Sequence, residues 1–416
     1  MQNIAIWVIA GLSILLMLVR PRDWPEAVWP VAGAVLLVLV RVVSARAAAA
    51  AVDQGLDVYL FLAGMMMIAE LARREGVFDW MAAHAVAAAR GSCHRLFALV
   101  FGVGVVVTAL LSNDATAVVL TPAILATTKA ARARPLPYLM ICAFTANAAS
   151  FVLPISNPAN LVVYQGGMPR LGSWIVDFGL ASLLAIAATY AGLFLMSRSM
   201  LQGSLDSRLE APPLTASGKL TLLGMLLLAA TLLTASALGQ ALGAPACVAA
   251  LVVSAAVTWR DRGAVAGVLR QVSWSVLPLV AGLFVLVEAV NGAGALAAAV
   301  GGLRAVESWA PAAGALATGF GVAIVSNLIN NLPSGLIAGA AVRAAGVAGP
   351  LRNAVLVGVD LGPNMSVTGS LATILWLIAL RREGQKVGFR EFLKWGAVIT
   401  PVALALALMS LLARRL

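Results

Sequence analysis

The sequence predicts an all-α polytopic membrane protein, with about ten transmembrane helices and two re-entrant hairpins arranged as an inverted repeat. Three observations predict it. Of the 416 residues, 62% are hydrophobic and only 11% charged, and the mean hydropathy of +0.97 lies far above that of a water-soluble domain. Apolar stretches of roughly 20 residues, the length that crosses a bilayer, recur from end to end. Polar knots bearing glycine, proline and asparagine interrupt some of these stretches, twice over and in the same order. No segment between them is long enough to bury a core of its own, so a single membrane domain is expected over 1–416.

The first apolar segment, Ile4 to Val19, lacks a basic leader and a cleavage site, and reads as a retained helix. Crossings are expected next at 27–43 and 57–72. The segment 95–131 is apolar too, but Ser112-Asn113-Asp114 falls at its middle, so it reads as a hairpin that enters and leaves on one side. Crossings at 136–167 and 174–196 follow, then a polar stretch with Pro212 and Pro213 that suits a cytoplasmic linker, 199–218. The chain resumes with crossings at 219–238, 245–259 and 273–290. A second hairpin is expected at 310–345, around Asn327, Asn330 and Asn331, and crossings at 351–380 and 395–412 complete the chain.

With this topology the 28 Lys and Arg divide unequally. Arg41, Arg46, Arg170, Arg304, Arg343, Arg352, Arg414 and Arg415 fall on one side, and all the rest on the other. The richer side is cytoplasmic by the positive-inside rule, which places both termini in the periplasm. The net charge of +11 is thus a topological signal. It forms no interleaved basic and aromatic surface, and nucleic acid is not an expected partner.

Comparison of the halves reveals the repeat. Gly64-x5-Glu70-x5-Gly76 returns as Gly282-x5-Glu288-x5-Gly294, each time on the helix before a hairpin. Ser112-Asn113-Asp114-Ala115-Thr116 in the first hairpin is answered by the stretch Ser326 to Pro333 in the second. Pro154 to Asn160 breaks the next crossing, as Gly362-Pro363-Asn364 breaks its counterpart. The first repeat is expected over 57–196 and the second over 273–412, and the crossings between Glu70 and Glu288 give the two opposite senses. Inverted repeats of this kind hold solute and coupling ion at their interface near the midplane, where broken helices offer free backbone groups. Unpaired backbone in hydrocarbon costs several kcal/mol per group, so such breaks persist only beside protein or a wet cavity.

Other functional classes find little support. His84 and His94 form no HExxH motif, and Cys93, Cys142 and Cys247 are far apart, without metal-site or disulfide spacing. Gly102-Val-Gly104 lies inside a hydrophobic hairpin and reads as a packing site. Neither an enzyme nor a resident metal or cofactor is expected.

Ser112-Asn-Asp-Ala-Thr-Ala-Val-Val-Leu-Thr-Pro122, Ser156-Asn-Pro-Ala-Asn160, Asn330-Asn-Leu-Pro-Ser334 and Asp360-Leu-Gly-Pro-Asn-Met-Ser-Val-Thr-Gly-Ser-Leu-Ala-Thr-Ile-Leu-Trp376 resemble the ArsB-type arsenite efflux pumps of the ion transporter superfamily. The Ser-Asn pairs also occur in sodium-coupled carboxylate transporters and sodium/proton antiporters of the same superfamily, which remain the alternative reading. The resemblance implies export of arsenite and antimonite across a bacterial inner membrane, driven by the proton motive force through alternating access of the elevator type. Some members work with a cytoplasmic arsenite-stimulated ATPase. Several carry Lys where this chain has Asn364, so no cationic role transfers to that position.

Trivalent arsenic in water is mainly an uncharged trihydroxide, whose site requires amides and hydroxyls. Ser112, Asn113, Ser156, Asn157, Asn160, Ser326, Asn327, Asn330, Asn331, Asn364, Ser366 and Thr368 supply them; their other use would be to cap the broken helix ends. Ionisable groups inside spans are costly and therefore functional by default. Asp114, at the first hairpin tip, is the leading proton carrier and Asp360 the next. Glu70 and Glu288 follow, as groups that could instead brace the hairpins.

Overall fold

The structure is a computed structural model and describes residues 2–206, 213–259 and 262–413. The linker expected at 199–218 falls partly on 207–212, outside the described residues. Among the described residues the fold is helical, and its β pairing is confined to one isolated bridge between Ser92 and Ser204.

The first half of the chain contains α1 (Gln2–Val19), α2 (Val28–Leu39), α3 (Ala45–Asp53), α4 (Leu56–Arg74), α5 (Val77–Ala89), α6 (Cys93–Leu110), α7 (Asn113–Ala115), α8 (Thr121–Ala130), α9 (Leu136–Ala148), α10 (Pro158–Val163) and α11 (Leu171–Ser197). The second half contains α12 (Ala216–Ala237), α13 (Gly243–Thr258), α14 (Arg262–Gln271), α15 (Val276–Gly292), α16 (Ala295–Glu307), α17 (Pro311–Ile329), α18 (Asn331–Ala345), α19 (Pro350–Leu361), α20 (Leu371–Arg382) and α21 (Phe389–Ser410). Among the described residues, α6, α11, α12, α17 and α21 are long and apolar enough to cross a membrane singly. The bent pairs α3–α4 (49°) and α15–α16 (72°) add two more candidates. Large apolar side chains such as Leu183, Leu226 and Val252 stand exposed on α11, α12 and α13, a surface that suits lipid and not water.

The crossings expected at 136–167 and 351–380 are each divided. Residues 149–157 separate α9 from α10, and a 3-10 turn, Gly362–Met365, followed by a second turn over 366–369, separates α19 from α20. In the first hairpin a π-helical turn, Thr116–Leu120, joins α7 to α8. Pro122 has no N–H to continue the ladder there, and the Thr121 hydroxyl donates to the Thr116 carbonyl at 3.1 Å.

The recurrent glycines now have physical reasons. A Cβ on Gly64 would lie 2.5 Å from the Ala246 carbonyl oxygen, and one on Gly282 would lie 2.7 Å from the Pro30 carbonyl carbon. Both glycines let helices touch backbone to backbone, α4 on α13 and α15 on α2. Gly76 and Gly294 precede α5 and α16 in left-handed conformation, with φ of 71° and 106°, which glycine adopts without a Cβ penalty. The sequence separation that relates Gly64 to Gly282 also relates Asn113 to Asn331 and Thr116 to Ser334. Each half thus gives a helix, a short helix, a hairpin, a broken helix and a long helix.

Candidate functional site

The hairpin tips are built alike. Ser112 caps α7, its Oγ accepting from the Ala115 amide at 3.2 Å, and the Asn113 amide donates to the Ser156 carbonyl at 3.0 Å. In the second hairpin Asn330 caps α18, and the Asn331 amide donates to the Gly369 carbonyl at 2.9 Å. Ser156 and Gly369 immediately precede the residues that cap the broken helices. Those residues are Asn157, whose Oδ1 accepts from the Ala159 amide at 2.9 Å, and Ser370, whose Oγ accepts from the Thr373 amide at 3.1 Å. Hydroxyl pairs fasten the arms: Thr108 to Thr116 at 2.8 Å and Ser326 to Ser334 at 3.0 Å.

Asn330 has φ 78° and ψ 153°, a region that costs a non-glycine residue about 1–3 kcal/mol. Its amide donates to the Thr368 carbonyl at 3.2 Å, and with the Asn331–Gly369 bond this holds the strained tip against the second break.

A cavity of about 530 Å³ descends between α4, the first hairpin, the start of α15 and α20. Its mouth carries Arg20, Glu26, Glu70, Arg73, Gln271, Arg382 and Glu383, and its deeper wall carries Ser112, Asp114, Pro158 and Leu371. Arg20 pairs with Glu26 at 3.0 Å. Arg73 Nε donates to Glu70 at 2.9 Å, and its Nη2 also donates to Gln271. Beside the deeper wall is a space of about 10 Å³ lined by Leu62, Asn113, Asp114, Asn157, Pro158, Val276, Asn331, Leu332 and Leu371, room for about one water molecule. The side-chain oxygens of Asn113 and Asn331 are buried there without a hydrogen-bond partner among the described residues. Leaving a buried acceptor unpaired costs roughly 1–3 kcal/mol, a cost that a donor placed in this space would relieve. Among the described residues no Lys or Arg lines this inner space.

Of the candidates read from the sequence, Ser112, Asn113, Asn157 and Asn331 line a cavity, as do Asp114 and Glu70. The cap belongs to Ser112, which leaves the Asp114 carboxylate to the cavity. Ser156 donates to the Ala109 carbonyl at 3.0 Å, and Asn160 holds the first break by donating to the carbonyls of Ser150, Leu153 and Pro154. Asn327 donates to the Ala323 and Gly362 carbonyls, both at 2.8 Å, and accepts from Ser366 at 2.6 Å, while Thr368 donates to the Asn327 carbonyl at 2.9 Å. Those three residues clamp α17 to the second break, and Ser326 bonds Ser334. Asn364 is buried away from both cavities, donating to the Phe144 carbonyl at 2.9 Å and accepting from Asn147 at 2.9 Å. Asp360 is fully buried behind the site and accepts from Asn157 at 2.9 Å. Glu288 is exposed and lines neither cavity.

Sequence reading passed over Asn147, Ser334, Ser370 and Thr373, which complete the polar framework. Ser370 and Thr373 stand in the last quoted motif, and Ser334 answers Thr116 at the repeat separation.

A path that ends among unpaired acceptors between broken helices, inside a bundle with apolar outer faces, is the architecture of a membrane transporter. The chain belongs to the CitMHS family, described as citrate transporter, whose profile matches residues 13–360. It is similar to the arsenical pump membrane protein of Escherichia coli strain K12, with 29% identity over 366 residues and 84% of each chain covered. An uncharacterized transporter of Mycobacterium tuberculosis is 27% identical over 410 residues, 90% of each chain. Among solved structures, the YdaH transporter of Alcanivorax borkumensis superposes with a TM-score of 0.59 at 15% identity, covering 88% of this chain and 86% of that one. At that identity the likeness is one of fold.

Proposed function

We propose that this transporter exports arsenite and antimonite, as their trihydroxides, in exchange for protons across a bacterial inner membrane. The observation that carries the reading is the chemistry of the inner space: unpaired acceptor oxygens on Asn113 and Asn331, the Asp114 carboxylate, and no Lys or Arg among the described residues that line it. A trihydroxide brings three O–H donors and no charge. Citrate would bring carboxylates that add acceptors to acceptors and negative charge to Asp114. The arsenical pump relatives support the same solute class. Arg20, Arg73 and Arg382 stand at the cavity mouth on the side that the charge distribution assigns to the cytoplasm, so this is an inward-open state. Buried hairpin tips support re-entrant hairpins, since the tips of full crossings would meet water.

The deciding experiment is arsenite uptake into everted membrane vesicles with an acid interior, with and without sodium and with citrate as competitor. Uptake that follows the pH gradient and ignores sodium and citrate is expected. Sodium-driven citrate uptake with no arsenite transport would overturn the reading in favour of a carboxylate carrier.

Alternating access would move the tips and broken helices as a unit against the remaining helices. Ala115 lines the larger cavity and Leu332 only the small space beside it. Single cysteines at these positions are therefore expected to change their accessibility to an aqueous thiol reagent in opposite directions when the transporter turns over. Fixed accessibility at both would exclude the moving unit.

Cys93 and Cys142 are buried, Cys247 is half-buried, and none lines either cavity. Replacing all three by Ser or Ala is expected to leave most arsenite efflux intact. Loss of efflux at normal expression would show that thiolate ligation is required.

A further inference from the structure

We propose that Asn147 is a positioning residue that ties the two broken helices together. It occupies the last turn of α9 and is fully buried. Its Nδ2 donates to Asn364 Oδ1 at 2.9 Å and to Thr373 Oγ1 at 3.2 Å. Asn364 returns a bond to the Phe144 carbonyl at 2.9 Å, one turn earlier on α9, and Thr373 lies in the first turn of α20 under its Ser370 cap. A single amide therefore joins the end of one half-helix to the other half's break and to the helix that follows it.

The arrangement has a reciprocal partner. Asn157, the cap of α10, donates to Asp360 in the last turn of α19 at 2.9 Å. The separation in sequence from Asn147 to Asp360 equals that from Asn157 to Ser370, so each half-helix end is tied to the start of the opposite half's second helix. One tie includes an ionisable carboxyl, and the Asn147 tie consists of neutral groups only. The neutral tie holds its geometry whatever the protonation of its partner, which makes Asn147 the fixed joint about which the second break is registered to the first. The consequence rests on the transport reading above: tied breaks travel as one unit.

The experiment is hydrogen exchange followed by mass spectrometry on the purified full-length protein in nanodiscs, for Asn147→Ala, Thr373→Val and Thr373→Ser, with arsenite uptake in vesicles alongside. Amides of residues 362–370, in the other half of the chain, are expected to exchange roughly fivefold to tenfold faster in Asn147→Ala and Thr373→Val, the scale of one buried hydrogen bond. Thr373→Ser keeps the hydroxyl and should exchange like the wild type, and uptake should fall in the same order. A role confined to the local packing of α9 would speed exchange only around residues 144–150 and would overturn the tie. So would equal behaviour of the valine and serine variants. Should Asn147→Ala fail to reach the membrane, Thr373→Val decides the matter from the other side: it should speed exchange at residues 144–150 on α9, which loss of the Ser370–Thr373 bond alone would not do. Exchange as expected in a protein that transports no arsenite would leave the tie standing and remove only the solute assignment.

Discussion

Replacing Asp114 by Asn is expected to abolish arsenite accumulation against a gradient while leaving downhill exchange in place. Asp114 lines both the larger cavity and the small space between the tips. Capping of α7 is already done by Ser112, so the carboxyl is not required to close the helix end. Asn keeps the size of the side chain and its capacity to accept hydrogen bonds, but it has no proton to exchange in this range. Loss of a charge near a helix N-terminus costs about 0.3–1 kcal/mol, too little to unfold the bundle. With one proton exchanged per solute, a gradient of about two pH units sustains a roughly hundredfold solute ratio, and the variant should relax to a ratio near one. Accumulation and pH dependence like those of the wild type would remove Asp114 from the coupling mechanism.

The architecture was legible because its requirements are written as residue types. Gly64, Gly76, Gly282 and Gly294 recur at one spacing, and the structure shows why: two are helix contacts without room for a Cβ and two are left-handed caps. The polar breaks were legible for the same reason, since apolar helices have no other use for Pro154, Asn157, Pro363 and Asn364. Division of labour within the breaks was not legible. An Asn that faces the solute and an Asn that closes a carbonyl look alike in a sequence, so Asn113 and Asn364 stood as equals until Asn364 was seen bonded to Phe144 and Asn147. Register was obscured too. Ser326-Asn327 matches Ser112-Asn113 in letters, yet by position and hydrogen bonding the counterparts of Ser112 and Asn113 are Asn330 and Asn331. Asn147 gave no signal, being a lone amide on an apolar half-helix whose partners lie in the other half of the chain.

Gly396→Ala is expected to be among the most damaging single-methyl changes in the protein. Gly396 lies on α21 where that helix crosses the second break, and a Cβ there would come within 2.4 Å of the Asn364 carbonyl oxygen and 2.5 Å of the Met365 carbonyl oxygen. Overpacking typically costs about 1–3 kcal/mol when side chains can give way. Here the obstacle is backbone, and the same segment holds the Asn364–Phe144 bond and the Ser366–Asn327 bond. Either α21 must retreat from α17 and α19, on which it packs, or the break must shift and release Asn327 and Asn147. The expected result is a melting temperature lowered by several degrees, consistent with roughly 3 kcal/mol, together with near-complete loss of arsenite transport. Gly388→Ala, on the same segment but with no atom within 4 Å of the added carbon, serves as the control and should behave like the wild type. Equal melting temperatures and transport in the two variants would show that the second break does not depend on the close approach of α21.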